Sequence, residues 1–334
     1  MSYQYIGGTD TTAAGFRKTN ENFQQIQNEF ESKAAKEHTH KPNEVGAINP
    51  NLLDNWYFGN PVNQRGLTQL TSSGYMIDRW KGAVNANSGD LIELISTGIK
   101  ITSNTSTGAP GLTQIIENAK ALSGKTVVFS INIVDAGGTG IANKGFISFN
   151  INGTANYLYV TTAGLYTQVL TMPDEVTSFT VGFSCYQNNY ITVEAVKIEL
   201  GDVQTLAHQD ANGNWVLNEI PNYAEELAKC QRYYQRFGQS FWFTAKDTAS
   251  GFIAGRFSVP MRTTPAVNII KTSTIFRGMG VNTSVNASGL ADGGDKKLTA
   301  NGITYYKLTS TATSFVSAFM YTLDDDILEL IAEL

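Results

Sequence analysis

Between Asn49 and Gly201 the sequence breaks into short apolar and β-branched runs, each closed by Gly, Asn, Asp or Pro. No other feature restricts the fold as much. The runs cover residues 91–96, 98–102, 126–134, 146–151, 157–161, 166–172, 178–185 and 190–200. Strands this short, punctuated by turn formers, predict an antiparallel sandwich. The stretch GLTQIIENAKAL, residues 111–122, is expected to interrupt them as a helical patch. A polar connector follows, with a turn at Asp210-Ala211-Asn212-Gly213.

A second constraint lies at residues 218–238. Pro221 closes a loop, and Asn222 with Glu225 three residues on forms an N-cap pair for the free amides of a first turn. Tyr223, Leu227, Cys230, Tyr234 and Phe237 then fall on one helical face. Glu225 and Glu226 at the start, and Arg232 and Arg236 at the end, suit the helix dipole. The spacing predicts a helix over 222–237, stopped by Gly238 and connecting two β regions.

Residues 239–334 read as the second β region. Strands are expected at 241–244, 251–259, 266–271, 303–308 and 315–323, with a long polar loop over 277–302. The closing LDDDILELIAEL is expected to form a short docked helix. The fold class is therefore mainly β: two antiparallel, jelly-roll-like β-sandwich domains joined by a helix.

Residues 12–36 stand apart. Phe16, Phe23 and Phe30 recur every seven residues, with Thr19 and Ile26 three after the first two. This is a coiled-coil-like seam. A helix this short is marginal alone in water, so it needs sister chains, another protein or its own domain to pack on. Just beyond it, His38 and His40 point the same way if the segment is extended. One chain offers two imidazoles, too few for a metal site. Three chains around an axis offer six, a nitrogen cage suited to iron, nickel or zinc. The plainer alternative is a solvated His-Thr-His on a linker.

Composition narrows the function. Charged residues make up 16% of the 334, and the formal net charge is -5. Without a basic stripe, nucleic acid is not an expected partner. No run reaches the roughly 18 apolar residues of a membrane helix, so no membrane insertion is expected. The opening MSYQYIGGTDTT lacks the basic start and apolar core of a signal peptide, which points to cytoplasmic synthesis. Cys185, in a strand-like run, and Cys230, in the connector, are expected to be buried thiols. Catalysis finds little support. Asp324–Asp326 and the pair Asp292 and Asp295 are the available carboxylate groups, and a solvated helix start and a hairpin turn account for them better than a catalytic pair does. The chain has no nucleophile elbow, P-loop or His-Glu-x-x-His sequence. No cofactor is expected beyond the possible axial metal.

Several stretches resemble bacteriophage tail-fibre and receptor-binding proteins and their prophage and tailocin relatives. They are FRKTNENFQQI, HTHKPNEVGAI, NLLDNWYFGNPVNQRG with GYMIDRWKG, the block KIELGDVQTLAHQDANGNWVLNEIPNYAEELAKCQRYYQ, and FSVPMRTTPAV. They run in that order from near residue 10 to about 267, and the KIELG to CQRYY block is the most specific. The resemblance implies a homotrimer in a virion tail or tailocin particle, attached at its N-terminal end to tail or baseplate proteins. It also implies a central domain like a carbohydrate-binding module, and strengthens the metal reading of His38 and His40.

The expected organisation is 1–48 for trimerisation and particle attachment, 49–201 for the central sandwich, 202–238 for linker and connector helix, and 239–334 for a receptor-binding tip. The expected function is adhesion to a bacterial surface glycan, or a protein receptor, through several weak sites acting together. A glycan depolymerase and a structural tail or baseplate spacer are the alternatives. Sugars stack on aromatic faces and hydrogen-bond to polar side chains. The candidate ligand residues are Tyr157, Tyr159, Tyr186 and Tyr190 in the sandwich, and Trp242, Arg277, Asp292, Lys296, Asn301 and Tyr305 in the tip. Trp56 and Trp80 are expected in the core.

Overall fold

The computed structural model describes residues 12–34, 48–86, 88–104, 108–237, 242–245, 250–269, 273–278, 281–290, 297–310, 319–322 and 328–334. The chain divides into two units, Met1–Ala47 and Ile48–Leu334. In the first, α1 (Thr12–Ala34) is a single helix, about 34 Å long at 1.5 Å per residue. Phe23 and Ile26, both expected on the heptad seam, are 65% and 47% exposed. His38 and His40 lie outside the described residues.

The second unit begins with a sandwich. Its strands are β1 (Gln69–Leu70), β2 (Gly74–Tyr75), β3 (Lys81–Ala83), β4 (Leu91–Ile95), β5 (Gly98–Ser103), β6 (Gly111–Ile115), β7 (Thr126–Gly138), β8 (Gly145–Ile151), β9 (Thr154–Val160), β10 (Gly164–Thr171), β11 (Phe179–Cys185) and β12 (Asn189–Leu200). One six-stranded sheet runs β1-β4-β5-β12-β7-β10, the other β2-β3-β6-β11-β8-β9. Alternate residues of each strand face the interior. Phe129 of β7 meets Phe149 of β8 edge-on, 4.9 Å between ring centres. Trp80 sits edge-on to Phe58 at 5.3 Å and beside Phe183, and its indole Nε1 donates to the Asn55 carbonyl. Trp56 and Trp80 are thus core residues, 3% and 0% exposed. Cys185 and Cys230 are free, buried thiols. Burial pushes the Cys185 thiol up to about 12.

The expected helical patch over 111–122 is corrected. Its first half is strand β6, paired with β3 on one side and β11 on the other. Only Ala119–Leu122 turns helically, as a single 3-10 turn. Two strand partners distant in sequence outweigh the local helical preference.

Strands β13 (Ala207–Gln209) and β14 (Trp215–Leu217) form a hairpin. Its turn is tied by Asp210, whose Oδ1 accepts from the Asn212 and Asn214 amides. Behind it lies a fully buried cation. Lys197 Nζ donates to Thr205 Oγ1 at 3.0 Å and Glu219 Oε1 at 2.7 Å, while Glu199 accepts from the Thr205 amide. A buried lysine needs such partners, because an unpaired charge there would not tolerate desolvation.

Helix α2 covers Tyr223–Gln231, capped by Asn222 Oδ1 on the Ala224 amide. The predicted helix over 222–237 is therefore too long. From Tyr234 the chain is strand β15 (Tyr234–Phe237). The remaining strands are β16 (Trp242–Ala245), β17 (Ser250–Arg256), β18 (Ala266–Ile269), β19 (Ser273–Gly278), β20 (Val281–Leu290), β21 (Lys297–Thr299), β22 (Gly302–Ser310), β23 (Phe319–Thr322) and β24 (Leu328–Ile331). β15, β24 and β18 form a three-stranded sheet with β24 in the middle.

The pairing of β15 with β24 is what ends the helix, since Tyr234 opposes Ile331 and Phe237 opposes Leu328. It also corrects the expected C-terminal helix, which is a strand with Leu330 wholly buried. The long loop expected over 277–302 is mostly strand, including the ten residues of β20. Nor is the last region a second sandwich. Its seven-stranded sheet runs β17-β16-β23-β19-β20-β22-β21, and β17 also pairs with β22, so the sheet closes on itself.

A charged and aromatic cluster joins β24 and α2 to the sandwich. Arg65 lies 3.6 Å over the Tyr234 ring and pairs with Asp78 at 2.7 Å and Glu333 at 3.0 Å. Arg79, with a left-handed φ of 72°, lies 3.5 Å over Tyr233 and pairs with Asp54 at 3.0 Å. Glu117 accepts from the Tyr233 hydroxyl at 2.6 Å and pairs with Arg232 and Arg262. Burial works against the Glu117 charge, yet Tyr233 and the two arginines hold its carboxyl below the usual range. The stretches NLLDNWYFGNPVNQRG, GYMIDRWKG and CQRYYQ meet here.

Candidate functional site

The end of the sandwich formed by the loops after β5, β7 and β11 opens into a cleft of about 640 Å³. Gly108 and Ala109 line one side, Gly140 and Ile141 a second, and Tyr186, Gln187 and Asn188 a third. The loops meet closely because the sequence permits it. A Cβ on Gly140 would lie 2.1 Å from the Gln187 carbonyl oxygen, so only glycine fits there. The amides of Thr139 and Gly140 both donate to the Asn188 carbonyl.

Lys144 and Asn189 hold this arrangement. Lys144 Nζ donates to the carbonyls of Gly138 (3.2 Å) and Ile141 (3.3 Å) and to Asn189 Oδ1 (3.3 Å). Buried Asn189 donates from Nδ2 to the carbonyls of Ile141 and Asn143, and its Oδ1 accepts from the Gly140 amide. The Lys144 carbonyl accepts from the Tyr186 amide. One lysine thereby fixes both the floor of the cleft and its aromatic wall.

From that wall an aromatic strip crosses the outer face of β8 and the edge strand β9. Phe146 lies 5.1 Å from Tyr186 and 5.5 Å from Tyr157, ring centre to ring centre. Tyr159, opposite Phe146 in register, shares this face. Tyr157 and Tyr159 are about half exposed, at 53% and 48%. Burial, then the nearby Tyr159 and Tyr157 hydroxyls, raises the Tyr186 phenol above its ordinary pKa. Flat aromatic surface beside a cleft whose described lining side chains are uncharged is a surface for stacking and hydrogen bonding.

The sequence-predicted ligand residues do not all gather at this place. Tyr157, Tyr159 and Tyr186 do. Tyr190 is on the other sheet, under the Lys100 ammonium at 5.0 Å and 3.5 Å from Asp135 Oδ1. In the last region Trp242 opposes Tyr321, and Arg277 opposes Tyr321 from the other side, so the three occupy one row of adjacent strands. Tyr305 opposes Lys297 in β21. Asn301 is exposed, and its amide donates to Thr299 Oγ1. Asp292 and Lys296 lie outside the described residues, as do Asp295 and Asp324–Asp326.

Phe146, Ile141 and Lys144 are the site residues that sequence reasoning missed. Phe146 had a signal: in GFISFN the alternation puts Ile147 and Phe149 inside, which leaves Phe146 as an outward aromatic. Among the described residues no group of three or more His, Cys, Asp and Glu side chains could hold a metal ion. No helix among them is long and apolar enough to cross a membrane.

No protein-family model and no curated protein matches the chain. Among solved structures, it is similar to the enzymatically active domain of tailspike protein 4 of bacteriophage CBA120. Identity is 13% over 45% of this chain and 21% of that one, with a TM-score of 0.29. It is also similar to a xylan-binding domain from Paenibacillus barcinonensis, 14% identical over 47% of this chain and 98% of that one, TM-score 0.27. A third is the CBM22-1 and GH10 modules of Clostridium thermocellum endo-1,4-β-D-xylanase 10B complexed with xylohexaose, 13% identical over 47% of this chain and 30% of that one, TM-score 0.28. The chain thus spans well under two thirds of the tailspike and of the xylanase. Likeness at this level assigns it to no family.

Proposed function

We propose that this chain is a carbohydrate-binding adhesin of a phage tail or tailocin, and that the cleft with its aromatic strip is a glycan site. The observation that carries the reading is the Tyr157–Phe146–Tyr186 strip running into an uncharged cleft of about 640 Å³. A pyranose ring stacks through its CH groups on such a face, and each aromatic contact contributes about 1 kcal/mol beyond area. One site is therefore weak, and adhesion relies on several copies held together, which raises avidity by roughly 10²–10⁴.

The exposed Phe23 and Ile26 of α1 support a trimer in which these residues pack on sister helices. His38 and His40 of three chains then supply an axial metal site, and tail or baseplate proteins bind at this end. The row Trp242, Tyr321 and Arg277 supports a second contact surface in the C-terminal region. The test is binding of fluorescent-labelled protein to host cells and to their purified surface polysaccharide. Saturable binding that Tyr186→Ala with Tyr157→Ala removes is expected, with the polysaccharide unshortened. Undiminished binding by the double variant would overturn the reading. Light scattering is expected to give about 109 kDa, three times 36.3 kDa. The trimer should loosen when chelator strips the metal.

A further inference from the structure

We infer that the cleft selects an uncharged sugar that carries a methyl group, either the C6 methyl of a 6-deoxyhexose or the acetyl methyl of an N-acetylhexosamine. The inference rests on the glycan reading above and names the chemistry of that same site.

The first argument is charge. The described side chains that line the cleft, Ala109, Ile141, Tyr186, Gln187 and Asn188, are all uncharged. The cation that ties the cleft's loops, Lys144, already donates to Gly138, Ile141 and Asn189. An ammonium has three protons to give, so these contacts occupy it. A uronate or phosphate entering the cleft would lose water without gaining a hydrogen bond from a free cationic donor among the described residues, an unfavourable exchange.

The second argument is Ile141. It is 59% exposed and lines the cleft. Isolated exposed apolar side chains are common and carry no meaning alone. This one is pinned, because its carbonyl accepts from both Lys144 and Asn189. With Ala109 and Tyr186 it supplies the apolar share of the described lining, the rest being glycines and the amide side chains of Gln187 and Asn188. Apolar lining of this kind accepts a methyl and rejects the hydroxymethyl that would lose its water there.

The test is calorimetric titration of the full chain with methyl glycosides of D-fucose, D-galactose, N-acetylglucosamine, N-formylglucosamine and glucuronic acid. The expected result is that D-fucose exceeds D-galactose, or N-acetylglucosamine exceeds N-formylglucosamine, by about tenfold, the size of one methyl in an apolar pocket. Which pair shows the difference identifies the source of the methyl. Ile141→Ser should collapse that ratio toward one. Preference for glucuronic acid, or equal affinity within both pairs, would overturn the inference. Tyr186→Ala separates the two levels. If it weakens every sugar while the ratios are flat, the glycan site stands and the methyl selection falls. If no sugar binds the intact chain, both fall.

Discussion

The two ends of strand β6 face opposite fates. At Ile115, where its carbonyl accepts from Arg79 Nη2, lies the Arg65–Arg79–Glu333 junction, in which arginines and carboxylates are paired and stacked on tyrosines. At Gly111 the strand approaches the cleft, where charge is confined to one engaged lysine and the walls are neutral amides, a tyrosine and an isoleucine. Both ends are rich in polar loop residues, and composition alone does not separate them. The difference is whether the groups are satisfied within the protein. Charges desolvated against one another hold the molecule together and leave nothing for a ligand. Neutral groups around an open volume contribute little to stability and remain available.

The largest effect is expected from removing residues 328–334. This deletes the central strand of the β15-β24-β18 sheet, buried Leu330 and the Glu333 partner of Arg65. A loss above about 5 kcal/mol follows from a large buried apolar residue together with a broken buried ion pair, read as the urea midpoint of the sandwich. If the truncated chain melts with the full one, the junction is not what holds this end. Any deletion of the C-terminal region meant to test receptor binding should therefore retain β24.

Arg79→Ala comes next, at about 3 kcal/mol, because nearly buried Glu333 and part-exposed Asp54 lose a charge partner and Tyr233 the cation stacked on it. Arg79→Gly removes the same contacts but suits the φ of 72°, so it should be less damaging than Ala by about 1 kcal/mol. Equal losses would mean the backbone strain there is negligible.

The pH dependence of the junction centres on Asp78. Burial pushes its carboxyl from 3.8 up to about 6, and the pairing with Arg65 only partly offsets this. The folded protein therefore takes up a proton at higher pH than the unfolded chain does. The contribution of Asp78 to stability is greatest below pH 4 and is lost as pH rises from about 4 to 6. Two pKa units correspond to about 3 kcal/mol. Asp78→Asn cannot titrate, so the difference in melting temperature between wild type and variant should move in favour of wild type as pH falls from 7 to 4. Movement the other way would show that the Arg65 pair dominates over burial.

These contrasts also explain which parts of the sequence could be read. Strands β4, β5, β7, β8 and β12 follow from local alternation and turn residues, and each was legible. The errors share one cause. Residues 111–115, 234–237 and 328–331 satisfy a helical spacing as well as a strand, and their partners lie far away in sequence: β11 for the first, β24 for the second. In CQRYYQRF the helix face and the strand coincide at Tyr234 and Phe237, and only the distant Leu328–Ile331 decides between them. The cleft was illegible for a related reason. It is assembled from three loops, and Lys144 matters through carbonyls that any residue would carry. Tyr157, Tyr159 and Tyr186 could be nominated by type, but nothing local separated them from Tyr190 on the opposite sheet.

Tyr186→Ala is the variant with the smallest expected effect on stability, and it sharpens the comparison most. Its side chain is half-buried, and the ring contact with Phe146 at 5.1 Å is the main packing it gives up. That contact is worth about 0.5–1.5 kcal/mol. The hydrogen bond that positions the residue runs from its backbone amide to the Lys144 carbonyl and survives the truncation. The urea midpoint should therefore move by a small fraction of the Arg79→Ala shift, while saccharide affinity falls about tenfold. A large loss of stability would place Tyr186 with Tyr233 and Tyr234 as a structural aromatic, and the contrast between the two ends of β6 would disappear. Lost affinity at nearly unchanged stability leaves binding as the role of the strip.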